Sequence, residues 1–224
     1  IHVALPGASV MVDAFDFVAI TSVMGFAPPS LYTPPPDLLS QLRMVGIDPE
    51  GVTHLVLTHA HFDHYSGVMV DCNGQRAPAF PNARCYAGRA DWDTPKGEQL
   101  RQNEARSTVG ELFDRDLVTL VDGEQELLPG VRLIPTPGET PGHLMVRVDS
   151  NGQTLYALGD LLHYPAEAEH PRWMVKWANP EQTLASRRRL IVDALPEQAL
   201  LVAAHIPGVG RLGGTSERPS WTRV

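Results

Sequence analysis

Six residues, His59-Ala60-His61-Phe62-Asp63-His64, carry three imidazoles and a carboxylate directly after an apolar stretch, Leu55 to Leu57, that has the pattern of a buried strand. Imidazole nitrogen and carboxylate oxygen are the donors that Zn2+ and related divalent ions prefer, and two such ions need about six or seven donors between them. In an extended segment, residues two apart point the same way, so His59 and His61 can face one ion together. The chain must then bend to carry Asp63 and His64 round to a second ion. Histidine also caps and packs, but four donors packed this densely favour a metal site. A fold that accepts this run has to end a strand where ions can collect.

The rest of the chain sets the limits. Its 224 residues are enough for one sizeable core, and residues 1–224 are expected to form a single domain. The net charge is −8, and Arg187-Arg188-Arg189, the one basic cluster, reads as the solvated face of a helix, so nucleic acid is not expected as a partner. Apolar runs fall far short of the ~18 residues that a membrane span needs, and no signal-peptide pattern is visible. A soluble protein without a membrane partner is expected, with cytoplasm and periplasm both open. The chain begins with Ile rather than Met, so some N-terminal residues, and any targeting sequence they carried, are expected to be missing. Cys72 and Cys85 form no CxxC and support neither a disulfide framework nor a thiolate zinc site.

Periodicity gives a mixed α/β chain. Ser9 to Val12 and Phe17 to Ile20 read as short strands. The Thr33 to Pro36 proline stretch precedes a helix over Asp37 to Val45, with Gly46 placed to end it. A strand over Val52 to Thr58 leads into the histidine run, Pro78 to Tyr86 leads into another strand, and Gly97 to Asp116 reads as one long, mostly polar helix. Leu117 to Val121, Val131 to Pro135, Leu144 to Val148 and Thr154 to Leu158 read as strands, with Ser150-Asn151-Gly152-Gln153 as a hairpin turn. Pro180 to Leu195 reads as an amphipathic helix and Ala199 to Ala204 as a last strand ending at His205. The expectation is two sheets with helices outside.

Further donors stand where apolar strands stop: Glu139 or His143 in the Thr136 to His143 loop, Asp160 in Gly159-Asp160, and His205 in Ala204-His205. Loops at strand ends, held by a rigid sheet, are where functional groups gather. Each has an ordinary alternative as a turn, edge or core residue, and the argument rests on the constellation.

HAHFDH at 59–64, TPGETPGH at 136–143, LYALGD at 155–160 and AAHIPG at 203–208 resemble the metallo-β-lactamase fold superfamily of metal-dependent hydrolases. Leu128-Pro129-Gly130-Val131 and Asp160-Leu161-Leu162-His163 make the chain most similar to the branch of N-acyl-homoserine lactonases and methyl parathion hydrolase. The resemblance implies an α/β (α+β) four-layer αββα sandwich with two divalent ions, Zn2+ by family. His59 and His61 would hold the first ion, Asp63, His64 and His205 the second, with Asp160 bridging. The family usually places a third histidine on the first ion; here Glu139 stands in that position, with His143 as second choice or as a partner behind the ligands. Glu139, Asp63 and Asp160 together offset three of the four charges of two divalent ions, which is expected to shift preference toward Mn2+ or Fe2+.

The implied activity is hydrolysis of a small-molecule lactone, ester or phosphotriester by a hydroxide bridging the ions. Asp63 would orient the nucleophile, and His163, where lactonases of the family place a tyrosine, would protonate the leaving group. Tyr164, Trp173 and Trp177 are candidates for an apolar pocket wall. The alternatives are a non-catalytic metal-binding protein of the same fold or a glyoxalase II-like thioesterase. A homodimer is left open.

Overall fold

The computed structural model describes residues 1–24 and 33–224, which form two compact units: Ile1–Ala87 with Trp92–Leu120, and Gly88–Asp91 with Val121–Val224. Among the described residues no helix is long and apolar enough to cross a membrane.

The first unit opens with the hairpin of β1 (His2–Leu5) and β2 (Ala8–Val12), then α1 (Phe17–Met24), α2 (Leu38–Met44), β3 (His54–Leu57) and a single helical turn, α3 (Phe62–Tyr65). A small hairpin, β4 (Met69–Cys72) with β5 (Gln75–Pro78), precedes β6 (Arg84–Gly88). The helical turn α4 (Arg89–Trp92), α5 (Pro95–Gln102) and α6 (Val109–Asp114) lead to β7 (Val118–Val121). The sheet order is β1-β2-β3-β6-β7, with β2, β3 and β6 parallel. Central parallel strands are buried on both faces, and Leu55, Leu57, Cys85 and Ala87 accordingly pack with Tyr65, Phe80, Trp92 and Leu112 in one apolar core.

Two readings are corrected here. Phe17 to Ile20 is not a strand but the start of α1, because the Asp16 carboxylate accepts from the N–H groups of Val18 and Ala19 and so caps a helix. Gly97 to Asp116 is two helices, not one. Asn103 ends α5, with its N–H on the carbonyls of Gln99 and Leu100, and Gly110 lets α6 pack so close that a Cβ there would lie 2.5 Å from the Arg101 carbonyl oxygen. Helix 37–45 stands as α2: Asp37 caps it, and Gly46 at φ +79° donates back to Arg43.

The second unit is a seven-stranded sheet in the order β14-β13-β12-β11-β10-β9-β8, in which β11 and β12 alone pair in parallel. Its strands are β8 (Gln125–Leu128), β9 (Val131–Pro135), β10 (Leu144–Ser150), β11 (Gln153–Ala157), β12 (Leu200–Ala203), β13 (Ile206–Gly214) and β14 (Pro219–Arg223), with α7 (Ala166–Glu169) and α8 (Pro180–Glu197) between β11 and β12. Leu190, Ile191 and Ala194 of α8 share a core with Met145, Tyr156 and Leu201. Asn151 and Gly152 both take positive φ, as the tight β10–β11 hairpin requires. β12 is not the last strand. β13 is masked in sequence by its glycines, and Gly210 shows their purpose: a Cβ there would fall 2.2 Å from the Trp221 ring of β14.

Candidate metal centre

In the first unit, the strand β3 ends at Leu57, and Thr58 after it leads into the histidines. His59 is fully buried, and His61 begins the turn α3, which swings Asp63 and His64 away from the strand direction. His59 Nε2 and His61 Nδ1 stand 2.8 Å apart, a separation two nitrogen lone pairs tolerate only with a proton or a cation between them. Behind them lies Asp13, which the sequence reading missed. It occupies a left-handed position, φ 58°, at the end of β2 and accepts from the Thr58 N–H at 2.8 Å and the Thr58 hydroxyl at 2.9 Å. Its Oδ2 also lies 2.8 Å from His64 Nδ1. Nδ1 of His64 is therefore the hydrogen-bond donor, and Nε2 is the nitrogen that could hold a metal. Thr58 does the same for His59, with Oγ1 3.0 Å from Nδ1.

In the second unit, the Thr136 to His143 loop is fastened at both ends. Gly142 N–H and Thr140 Oγ1 each donate to Asp91 at 2.6 Å, and Ser186 Oγ donates to the Pro137 carbonyl at 2.7 Å. His143 is wholly buried and accepts the Asp160 N–H on Nε2 at 3.1 Å, which leaves Nδ1 to donate to Thr136 Oγ1 at 2.8 Å. His143 thus holds the backbone of Asp160. Glu139 is 7 % exposed, and its Oε1 accepts from the Trp177 indole N–H at 2.6 Å. Asp160 Oδ2 lies 3.1 Å from His205 Nε2 and 3.3 Å from His163 Nε2, with the two imidazoles stacked 5.4 Å apart.

His163 is itself supported. Its N–H donates to Glu167 at 2.7 Å, and Glu167 pairs with Arg187 at 2.9 Å. Burial pulls the His163 pKa down, but Asp160 and Glu167 outweigh it and push the value up to about 9. A cation on Asp160 and Glu139 would neutralise the same negative charge and bring it back down. Arg187 corrects the solvated-face reading: it is 2 % exposed, and only its neighbours Arg188 and Arg189 face water. Tyr164, Trp173 and Trp177 are exposed at 66, 59 and 65 %, so they are surface groups rather than core.

Among the described residues the donors fall into two groups, His59, His61, Glu139, Asp160 and Asp63, His64, Asp160, His205; within each, one ligand atom per residue lies within 4.8 Å of the others. Every sequence-selected donor is in one of them except His143. Imidazole and carboxylate suit Zn2+, Mn2+ and Fe2+, and Asp160 belongs to both groups, as a carboxylate with two oxygens can. The donor set fits two divalent ions.

The model of the metallo-β-lactamase superfamily matches residues 7–205. The chain belongs to this superfamily. It is 26 % identical over 170 residues to an N-acyl homoserine lactonase of a Bacillus species, a match covering 75 % of this chain and 61 % of that protein. The chain thus matches less than two thirds of the length of such relatives. Among solved superfamily structures, the hydrolase AbOPH superposes with a TM-score of 0.78 at 21 % identity, covering all of this chain and 78 % of that one. AidC, a dizinc quorum-quenching lactonase bound to its product, superposes at 0.74 with 20 % identity, again over all of this chain and 78 % of that one. The fold is the α/β sandwich of mixed sheets and helical layers of this superfamily.

Asp13, Thr58, Glu167 and Arg187 are the site residues the sequence did not give. They lie outside the donor runs and act through contacts that only the fold creates, Asp13 with His64 over 51 residues, Thr58 with Asp13 over 45 and Arg187 with Glu167 over 20.

Proposed function

We propose that residues 1–224 act as a single-domain, metal-dependent hydrolase of small lactones, esters or phosphotriesters. The observation that carries this reading is the sharing of Asp160 between two four-donor groups, each built from imidazoles and carboxylates. Similarity to N-acyl homoserine lactonases supports a lactone or related ester as substrate.

In this reading His59, His61 and Glu139 would hold one ion and Asp63, His64 and His205 the other, with Asp160 able to serve both. Two divalent ions there would supply hydroxide at neutral pH and polarise a carbonyl or phosphoryl oxygen. Asp63 orients the nucleophile. His163 would hold a proton on Nε2, beside Asp160, for delivery to the leaving oxygen, while Glu167 accepts the backbone N–H of His163 and lies 3.8 Å from its ring Nδ1. Zn2+ is the ion suggested by kinship with a dizinc lactonase, and Glu139 in place of a histidine hardens the donor set toward Mn2+ or Fe2+.

The test is a screen of the purified protein against a lactone, an aryl ester and a phosphotriester, with EDTA and with restoration by Zn2+, Mn2+ or Fe2+. Turnover abolished by chelation and restored by metal is expected. Metal uptake without turnover of any of the three would instead select a non-catalytic metal-binding protein.

A further inference from the structure

The histidines in the two donor groups share a device: where His59 or His64 offers one nitrogen, the other is held, by Thr58 Oγ1 and by Asp13 Oδ2. Glu139 has no second ring nitrogen, and its side chain turns about one more bond. A carboxylate in this place needs an anchor of its own to fix its direction.

The structure supplies one. The Trp177 indole N–H donates to Glu139 Oε1 at 2.6 Å. The indole is not a stray surface group, although 65 % of Trp177 is exposed. Two residues on, Asn179 donates its N–H to the carbonyl of Gly138 at 2.8 Å, next to Glu139 itself, and caps α8 through its side chain. Gly138 packs so closely on α8 that a Cβ would meet the Thr183 nitrogen at 2.5 Å. Upstream, Arg187 donates to the Trp173 carbonyl. The segment bearing Trp177 is thus pinned on both sides, and its downstream pin lies on the loop whose carboxylate it holds.

From these contacts we infer that Trp177 is a positioning residue for Glu139, fixing the carboxylate so that it serves the His59, His61, Glu139, Asp160 group. This rests on the two-ion reading above, and it adds a residue outside the donor set. Indole is better suited to this role than phenol, because Trp offers a donor and no acceptor, so it can hold a carboxylate oxygen and cannot itself compete for the ion.

The experiment compares wild type with Trp177→Phe, which keeps an aromatic ring and removes the N–H, and with Trp173→Phe on the same segment as control. Metal affinity is measured by chelator competition, with intrinsic tryptophan fluorescence followed during Mn2+ titration and thermal unfolding of the metal-free proteins recorded. One of the two ions should bind about tenfold more weakly to Trp177→Phe and the other unchanged, with Trp173→Phe like wild type. The paramagnetic ion should quench fluorescence in wild type as the affected site fills, and that component should vanish in Trp177→Phe. Metal-free unfolding should stay cooperative in both variants, with the loss of one hydrogen bond to Glu139 lowering the temperature of Trp177→Phe by a few degrees at most, so that the weaker ion binding is not a loss of fold. Two ions bound by Trp177→Phe with wild-type affinities would overturn this inference alone. Absence of metal uptake by the wild-type protein would overturn both it and the two-ion reading.

Discussion

Replacing the buried Arg187 by Met should destabilise the protein strongly. The guanidinium is 2 % exposed and donates to the carbonyls of Leu161, Pro171 and Trp173 and to Glu167. Met fills much of the same volume but leaves a buried carboxylate without its cation. Breaking a buried pair from one side costs about 3–5 kcal/mol, a large share of the ~5–15 kcal/mol that holds a domain together. With a urea slope of about 2 kcal/mol/M, the midpoint should fall by roughly 2 M.

The Glu167 carboxyl supplies a second signature. Burial would raise its pKa, but His163 and Arg187 prevail and hold it below the usual carboxylate range. Its contribution to stability is therefore full above its unfolded pKa and is lost as pH falls through the depressed folded value. Without Arg187 the folded pKa rises, so the deficit of Arg187→Met should be largest near neutrality and shrink from about pH 7 to about pH 4 as Glu167 takes up a proton. Adding Glu167→Gln, which keeps an acceptor for the His163 N–H and removes the charge, should recover at least half of the loss. Urea unfolding of the four proteins at fixed metal concentration measures this cycle. A deficit below about 1 kcal/mol, or one independent of pH and unrelieved by the second substitution, would refute the assignment of a buried ion pair.

Other expectations concern the donor groups. Asp13→Asn keeps the shape of the side chain but loses its charge behind His64 and Thr58, and should weaken one ion by about 10- to 100-fold in chelator competition; unchanged affinity would leave Asp13 a merely structural residue. His163→Phe should lower turnover at least about tenfold with two ions still bound, read by kinetics beside metal analysis; unaltered kcat would remove His163 from proton delivery. Gly142→Ala places a Cβ 2.6 Å from the Asp91 nitrogen and 2.9 Å from the Gly88 carbonyl oxygen. It should cost about 1–3 kcal/mol in chemical unfolding, and wild-type stability would show that the loop can shift.

The donors themselves were legible because coordination chemistry needs particular side chains, and His59, His61, Asp63 and His64 sit within six residues after an apolar strand. The strand-end positions of Asp160 and His205 followed from the same alternation of apolar run and turn. Helix α2 and the β10–β11 hairpin were equally plain, since a capping Asp, a terminal Gly and an Asn-Gly pair act over a few residues. Phe17 to Ile20 failed because a side-chain cap from Asp16 outweighed β-branched composition. Strand β13 was missed because glycine, a poor strand former, was needed there to admit Trp221 of β14.

What the sequence by itself determined was local: which atoms can bind a cation, and which short segments carry them at strand ends. The tertiary structure alone decided how those atoms are aimed. Asp13 reaches His64 across 51 residues, Trp177 reaches Glu139 across 38, and Arg187 leaves the polar face it shares in sequence with Arg188 and Arg189 to become the buried partner of Glu167. A hydrogen bond between residues so far apart leaves no periodic mark in the chain, because its geometry exists only after the strands and helices have packed.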